Sequence, residues 1–299
     1  MKIYDCFAFG FELDLLEIRL NLLDPFVDYF VFCESEKTFS GIDKPLHYQN
    51  NQNRFKKFKN KIIHQVIDPP AEELLEEFKV KYKVKKNSFA RDAYYKDSLM
   101  NVLRERCEDD DIVIWSDLDE MPNPEVLKEL DSFYESNTVY NFAQDNYQGS
   151  LNWFETSGTI HSQTKDFDCG HEGPRWIGSK MGSFSIFKKY TMTELRRELL
   201  QENNVRIYPG GWHWSSCGSE TPCSMHDRIM RKIQTSPHTE LNNSSIIDII
   251  ESKIKMGKSP LGQNNASYKV VDFSEERFPK YLLENEEKYN YLIMENDSN

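Results

Sequence analysis

Short apolar runs and helical leucine repeats alternate along the first half of the chain. The apolar runs that predict buried strands lie at residues 2–9, 28–33 and 61–67. Four leucines recur at the spacing of one helix face between them, which predicts a helix over residues 12–23. An alternation of strands and helices is typical of an α/β protein whose central sheet is flanked by helices.

A longer helix and a fourth strand lead to an acidic turn. The pattern predicts a helix over residues 88–107 and a short buried strand at 111–115, which stops at the turn 116–120. Pro124 is typical of the first position of a helix, here over residues 125–134. The acidic turn therefore follows the carboxyl end of a predicted strand.

The second half of the chain has a less regular pattern. Strand-like runs lie near 138–143 and 183–187, and helix-like runs near 191–202, 222–234 and 244–256. No internal repeat and no long Gly-, Pro- or Ser-rich linker divides the sequence. Its 299 residues suit one large domain or two small ones.

The acidic turn holds Asp117 and Asp119, with Leu118 between them. Open α/β sheets bind ligands beyond the carboxyl ends of their strands. Two acids one residue apart on a turning backbone can approach one cation, and carboxylate oxygens suit Mn²⁺ or Mg²⁺, which adds water and phosphate oxygens to its shell. The same pattern is typical of an exposed turn, so both interpretations stay open.

Further candidates lie on both sides of this turn. His213, in a Gly- and Trp-rich segment, is either a metal ligand or a structural histidine. Arg91, in the helix that precedes the fourth strand, is placed either to contact phosphate or to pair with Asp92. Four tryptophans follow the acidic turn and are interpreted either as core residues or as a platform for sugar rings: Trp153, Trp176, Trp212 and Trp214.

The composition of the chain argues against some classes of binding partner. Acidic side chains number 49 against 37 basic ones, a net charge of −12, which argues against nucleic acid or an anionic membrane. No run approaches the roughly 18 apolar residues of a membrane span. Asp5 stands where a signal peptide would continue its apolar core, so we expect a soluble protein with reduced cysteines. The motifs of nicotinamide enzymes, P-loop NTPases, zinc proteases and serine hydrolases are absent.

The chain resembles glycosyltransferase family 17 almost from end to end. No single motif is decisive, whereas their order and spacing together are specific. The motifs are Tyr4-Asp5-Cys6-Phe7, Glu12-Leu13-Asp14-Leu15-Leu16, Glu34-Ser35, Thr38-Phe39-Ser40-Gly41, Lys44-Pro45-Leu46, Arg91-Asp92-x-Tyr94, Ser116-Asp117-Leu118-Asp119-Glu120-Met121-Pro122, Gly211-Trp212-His213-Trp214-Ser215 and Pro279-Lys280-Tyr281-Leu282-Leu283.

The resemblance implies a GT-A-like nucleotide-sugar transferase fold with a mixed central sheet. It implies one catalytic domain over residues 1–299, with a nucleotide-sugar and metal half at 1–135 and an acceptor half with C-terminal helices at 136–299. The implied reaction is an inverting, Mn²⁺-dependent transfer of a sugar from a UDP-sugar to a glycan hydroxyl. GlcNAc is the leading sugar because characterised relatives use it.

The resemblance also implies roles for individual residues. We expect Mn²⁺ on Asp119, with Asp117 contacting it directly or through water and ribose, and His213 as a third ligand. We expect Glu12 and Glu34, which follow the first two strands, to contact uridine or ribose.

An inverting transfer also needs a carboxylate that takes the proton of the acceptor hydroxyl. Glu172 ranks first because aromatic and basic groups surround it in the sequence. The other candidates for this base are Asp145, Asp168 and Glu120.

Two other functions stay open. A carbohydrate-binding protein that has lost catalysis would bind glycan without Mn²⁺ and would tolerate loss of Asp119. A metal-dependent phosphoesterase normally needs a second cluster of acids or histidines, which the sequence does not offer. Golgi members of the family carry an amino-terminal anchor and stem, whereas this sequence begins at the catalytic domain, so we expect a bacterial or viral setting.

Overall fold

The structure is a computed structural model that describes residues 1–158, 164–165, 172–196, 203–261 and 265–295. Within these residues, twelve strands form one mixed sheet. The strands are β1 (Ile3–Ala8), β2 (Tyr29–Glu34), β3 (Ile62–Val66), β4 (Ile112–Asp117), β5 (Glu120–Pro122), β6 (Thr138–Gln148), β7 (Trp153–Ser157), β8 (Thr164–Lys165), β9 (Arg175–Ser183), β10 (Asn203–Ile207), β11 (Gly211–Ser215) and β12 (Ser267–Val270).

Helices flank this sheet, and the longest of them, with 20 residues, comes from the first half of the chain. The helices are α1 (Leu13–Leu23), α2 (His47–Asn50), α3 (Glu72–Tyr82), α4 (Asn87–Arg106), α5 (Pro124–Lys128), α6 (Leu130–Phe133), α7 (Phe184–Phe187), α8 (Met192–Leu195), α9 (Met225–Thr235), α10 (Ser244–Ile247), α11 (Ile250–Lys255), α12 (Lys280–Glu284) and α13 (Glu286–Tyr289). Among the described residues, none of these helices is long and apolar enough to cross a membrane.

The sheet joins a parallel part to a mixed part. Strands β3, β2, β1 and β4 are parallel neighbours in that order. Antiparallel β9 follows β4, and β6, β7 and β12 continue the sheet. Strands β10 and β11 pair in parallel with β6, while short β5 runs antiparallel to β11. Strands from both halves of the chain therefore share one curled sheet.

Alternate residues of the parallel strands serve two cores on opposite faces. Phe7 and Phe32 pack with the leucines of α1 on one face. Cys6 and Val31 pack with Leu99 and other residues of α4 on the other. Strands covered on both faces read as continuous apolar runs. This is why the sequence predicts β1 to β4, and also α1 and α4, to within about two residues of their observed ends.

Other predicted elements differ from the structure. The apolar run at 183–187 is not a strand: β9 ends at Ser183 and the short helix α7 follows. The helix predicted at 125–134 is divided into α5 and α6, and that at 244–256 into α10 and α11. Of the run at 191–202, only α8 is helical in the described part, and 197–202 lie outside it. The mixed α/β class itself is confirmed.

The segment 210–215, whose two glycines are typical of a flexible turn, contains strand β11. Gly211 has a φ of +117°, and a Cβ there would lie 2.1 Å from the carbonyl oxygen of Met121. The glycine thus serves the close approach of β11 to β5 at the start of the strand. Consecutive side chains after it face opposite sides of the sheet.

Candidate active site

A cavity of about 350 Å³ lies at the carboxyl ends of β1, β2 and β4. Segments 8–12, 33–35 and 117–120, which follow those strands, form one part of its wall. His213 of β11 and Lys232 of α9, from the second half of the chain, also line it. This strand-end cavity occupies the position at which open α/β sheets bind ligands.

Arg19 of α1 holds the acidic turn from the side of the core. Its buried guanidinium forms hydrogen bonds of 2.7 and 2.8 Å with the carboxylate of Asp5. Its Nη1 also lies 3.0, 3.2 and 3.1 Å from the carbonyl oxygens of Asp117, Leu118 and Glu120. Because three carbonyl groups converge on one cation, the backbone of the turn is held in one conformation.

Two cations neutralise Asp117. Arg196 Nη1 lies 2.9 Å from Oδ2, and Lys96 Nζ lies 3.1 Å from Oδ1. Lys96 is itself held by Asp92 at 2.9 Å. Burial alone would raise the pKa of Asp117, but Arg196 and Lys96 outweigh this effect and hold the pKa below its ordinary value. Asp117 is therefore ionised.

Asp119 is paired with a cation from the other half of the chain. Lys232 Nζ donates to its Oδ2 at 3.0 Å. Burial would raise the pKa of Asp119, but Lys232 and His213 lower it further than burial raises it. Burial would likewise lower the pKa of Lys232, but Asp119 and Glu12 keep it above its ordinary value. Both members of the pair are therefore charged.

Glu120 is fully engaged by hydrogen bonds. Its Oε1 accepts from Trp176 Nε1 at 2.8 Å and from Arg196 at 3.0 Å, and its Oε2 accepts from the Asp117 amide at 2.9 Å. A Cβ on Gly178 would lie 2.4 Å from this carboxyl carbon, so a glycine there makes room for it. Glu120 braces the cavity wall, and proton transfer to it would disrupt these bonds.

His213 faces the cavity beside the acidic turn. It pairs with Glu120 across β5 and β11, and its ring stacks on Trp176 with centroids 4.2 Å apart. Burial lowers its pKa despite the nearby carboxylates of Asp119 and Glu120, so the imidazole is neutral at pH 7. Its Nδ1 is buried and has no hydrogen-bond partner in the described part of the chain.

Three of the four tryptophans belong to the core. Trp214 is fully buried and donates to the carbonyl of Leu151 at 3.2 Å. Trp212 stacks on Trp214, and Trp153 stacks on Tyr268. These three rings are at least nine-tenths buried. They are therefore core residues, and the expectation that they form a platform for sugar rings is wrong. Trp176 differs because it is half-buried and lines the strand-end cavity.

Glu34 lies in the wall of the cavity but is bound to protein. Its carboxylate accepts the amide N–H groups of Tyr48 and Gln49, at 3.0 and 3.3 Å, at the start of α2. Lys44 and His64 lie within 3.7 Å and 3.3 Å of it. These contacts anchor α2, so a nucleotide would meet a carboxylate that is already engaged.

Of the two remaining candidates for nucleotide contact, Glu12 lines the strand-end cavity and Arg91 does not. Arg91 donates to the carbonyl of Phe39 at 2.8 Å and lies outside the cavity lining, so it fastens the loop after β2 rather than contacting a ligand there. Glu12 lines the cavity, and its Oε2 accepts the amide of Phe11 at 2.9 Å. Burial raises the pKa of Glu12 even though Lys232 acts against it.

Two other predicted bases lie beside a second cavity. This cavity of about 1000 Å³ is lined by Asp145, Glu172 and Trp212. Trp212 and His213 are consecutive residues of β11, so the two cavities lie on opposite faces of the sheet. Asp145 pairs with Arg175 at 3.3 Å, and exposed Glu172 pairs with Lys269. The structure thus does not bring Asp145 or Glu172 to the acidic turn, and Asp168 lies outside the described residues.

The comparison with known proteins decides the family. A family model named glycosyltransferase family 17 matches residues 1–171, more than half of the chain. The chain belongs to glycosyltransferase family 17. It is 25% identical over 312 residues to a β-1,4-mannosyl-glycoprotein 4-β-N-acetylglucosaminyltransferase of Rattus norvegicus, covering 98% of this chain and 54% of the relative. The chain therefore spans about half the length of that relative.

The family suggests a divalent cation, and the donor atoms of the acidic turn suit one. Two ionised carboxylates and the neutral imidazole of His213, with its orphan Nδ1, are groups that Mn²⁺ accepts. Within the described ranges, no group of three or more His, Cys, Asp and Glu side chains forms a metal site. A cation at Asp117 and Asp119 would therefore need water or substrate oxygens to complete its shell.

Sequence reasoning missed the basic residues of this family 17 site. Lys96, Arg196 and Lys232 come from three separate helical segments and meet the acidic turn only in the folded chain. Arg19 carried a signal, because it is a charged residue inside the apolar run of α1 and such residues are buried only when paired. For the other three, no local pattern distinguishes them from surface lysines and arginines.

Proposed function

We propose that this chain is an inverting glycosyltransferase with a GT-A-like fold, which moves a sugar from a UDP-sugar to a hydroxyl of a glycan acceptor. GlcNAc is the leading sugar because the rat relative is named for it. One observation carries the proposal: a family 17 chain holds two ionised aspartates on a fixed turn in a cavity at the strand ends.

The acidic turn is suited to a diphosphate donor that arrives with Mn²⁺ or Mg²⁺. Asp117 and Asp119 would hold such a cation, which would supply positive charge to stabilise the departing UDP. Arg19 fixes the turn, and Lys96 with Arg196 orients the carboxylate of Asp117. These groups are in place before substrate binds, so little reorganisation is needed as the sugar–phosphate bond breaks.

We assign the role of general base to Glu12, in place of the nucleotide contact expected from the sequence. As the acceptor oxygen bonds to the anomeric carbon, its proton passes to a carboxylate and the electron pair of the broken bond leaves with UDP. Glu12 lines the cavity, and its raised pKa makes it a stronger base than an ordinary glutamate.

The acceptor side of the cavity includes Trp176. Its ring stacks on His213 and its indole N–H is held by Glu120, so its orientation is fixed. An aromatic ring held in this way is a suitable surface for a sugar. The rat relative is named for a β-mannosyl glycoprotein acceptor, and for this chain we propose a glycan acceptor.

The decisive experiment is UDP release from a panel of UDP-sugars, with Mn²⁺ and with EDTA. We expect turnover of one donor with Mn²⁺ only, and a loss of about 100-fold or more in Asp119→Ala because the charge at the leaving group is lost. Asp131→Ala, which removes an exposed acid on α6, is the matched control. Glycan binding by both wild type and Asp119→Ala, with no UDP release by wild type from any donor, would instead identify a carbohydrate-binding protein.

A further inference from the structure

The three cations that pair with the two aspartates of the acidic turn differ in how many other contacts hold them. Arg196 bridges Asp117 and Glu120, with contacts of 2.9 and 3.0 Å. Lys96 likewise bridges Asp117 and Asp92. Lys232 forms its ion pair with Asp119, at 3.0 Å, and its side chain is 31% exposed against 7% for Lys96. Lys232 is therefore the cation that can leave its partner at the smallest cost.

The helix that carries Lys232 is fixed in place. Arg228, one turn earlier in α9, is buried and donates to the carbonyl groups of Gly149, Cys223 and Tyr291 at 2.8, 2.6 and 3.1 Å. Apolar residues on the same helix, among them Ile229, pack into a small separate core. Movement of the Lys232 ammonium therefore requires only rotation about the bonds of its side chain.

The charges around the cavity make such a movement useful. Six carboxylates line it in the described part of the chain, against five lysine and arginine side chains. A diphosphate adds further negative charge, so its binding requires positive charge that is not already paired with protein carboxylates. A divalent cation that takes an oxygen of Asp119 would release the ammonium of Lys232 beside the entering diphosphate.

We infer that Lys232 is a placeholder counter-ion: it neutralises Asp119 in the unliganded enzyme and transfers to a phosphate oxygen of the donor when a divalent cation takes its place. This inference rests on the proposed function. It makes Lys232 a competitor of the cation in the absence of nucleotide and a ligand of the nucleotide in its presence. Removal of Lys232 must therefore shift the two affinities in opposite directions.

The test is calorimetric titration of wild type and Lys232→Met with MnCl₂ alone, and with UDP at saturating Mn²⁺. In Lys232→Met we expect Mn²⁺ to bind about tenfold more tightly and UDP about tenfold more weakly, each the effect of one charged hydrogen bond. Lys232→Arg should keep both affinities near wild type. Lys255→Met, which removes an exposed lysine of α11, controls for net charge.

Affinities that both fall, or that both stay unchanged, would overturn the placeholder role. Lys232→Gln provides a second variant in case Lys232→Met fails to fold, with the same expected pair of shifts. The wild-type titration separates the two proposals. If wild type binds no UDP at any Mn²⁺ concentration, the donor assignment fails and this inference fails with it; if wild type binds UDP and the opposite shifts are missing, only this inference fails.

Discussion

The two faces of β11 serve different purposes although they alternate along five residues. Trp212 and Trp214 face the core, stack on each other and donate their indole N–H groups to main-chain carbonyls. His213 faces the strand-end cavity and keeps a buried ring nitrogen without a partner in the described residues. The two core indoles of β11 are therefore satisfied within the protein, whereas the imidazole on the cavity side leaves one nitrogen available to a ligand.

The largest expected effect is on the free energy of unfolding, which should respond differently to substitutions on the two faces. Trp214→Ala should lower the free energy of unfolding by about 4 kcal/mol, because a fully buried ring leaves a void. His213→Ala should lower it by about 1 kcal/mol, since it loses one ring contact. Urea denaturation followed by circular dichroism measures both.

For Mn²⁺ affinity we expect the opposite: the change at His213 should matter more than the change at Trp214. Trp214→Phe, which keeps most of the packing, should bind Mn²⁺ as wild type does, whereas His213→Ala should lose about tenfold in affinity if His213 is a ligand. Equal losses of cation affinity in the two variants would contradict the division between the faces.

Arg19 is buried in the core, but its guanidinium holds the acidic turn that lines the cavity. Variants of Arg19 therefore test whether the stability of the core and cation binding in the cavity can be changed separately. Arg19→Met should lower the free energy of unfolding by about 3 kcal/mol, because it leaves Asp5 buried without its partner. Arg19→Lys retains the charge but not the several hydrogen bonds. It should therefore remain folded and bind Mn²⁺ more weakly than wild type. Arg54→Lys, at the surface, is the matched control.

Glu12→Gln gives the smallest expected effect on stability and one that changes with pH. Burial raises the pKa of Glu12 above 4.5, so the ionised side chain destabilises the folded state and stability falls as pH rises through the folded pKa. The glutamine variant should be more stable than wild type at pH 7, and this gain should vanish below pH 4.5.

Thermal melts of Glu12→Gln across pH measure this gain. UDP release at pH 7 should fall in the same variant, because the proposed base is absent. A variant that is more stable at pH 7 and equally active would remove Glu12 from the mechanism while leaving the burial argument intact.

The parallel strands and the acidic turn could be predicted because their signals are local. Apolar runs mark β1 to β4, and the carboxyl end of a strand fixes where Asp117 and Asp119 must lie. Strand β11 could not be predicted because the glycines at 210 and 211 are typical of a turn, and the burial of Trp212 and Trp214 depends on that strand. The placement of Glu172 and Asp145 beside the second cavity depends on the curl of the whole sheet, which no local pattern contains.

The hydrogen bonds of Arg19 couple the assembly of the site to the folding of the core. This one side chain joins β1 and α1, which are close in sequence, to the turn after β4, which lies far along the chain and meets them only when the sheet forms. A partly folded chain therefore lacks the ordered turn, and whatever affinity the turn has for a cation arises in the same cooperative step as native packing. An incompletely folded chain would therefore have no ordered turn with which to hold a metal ion.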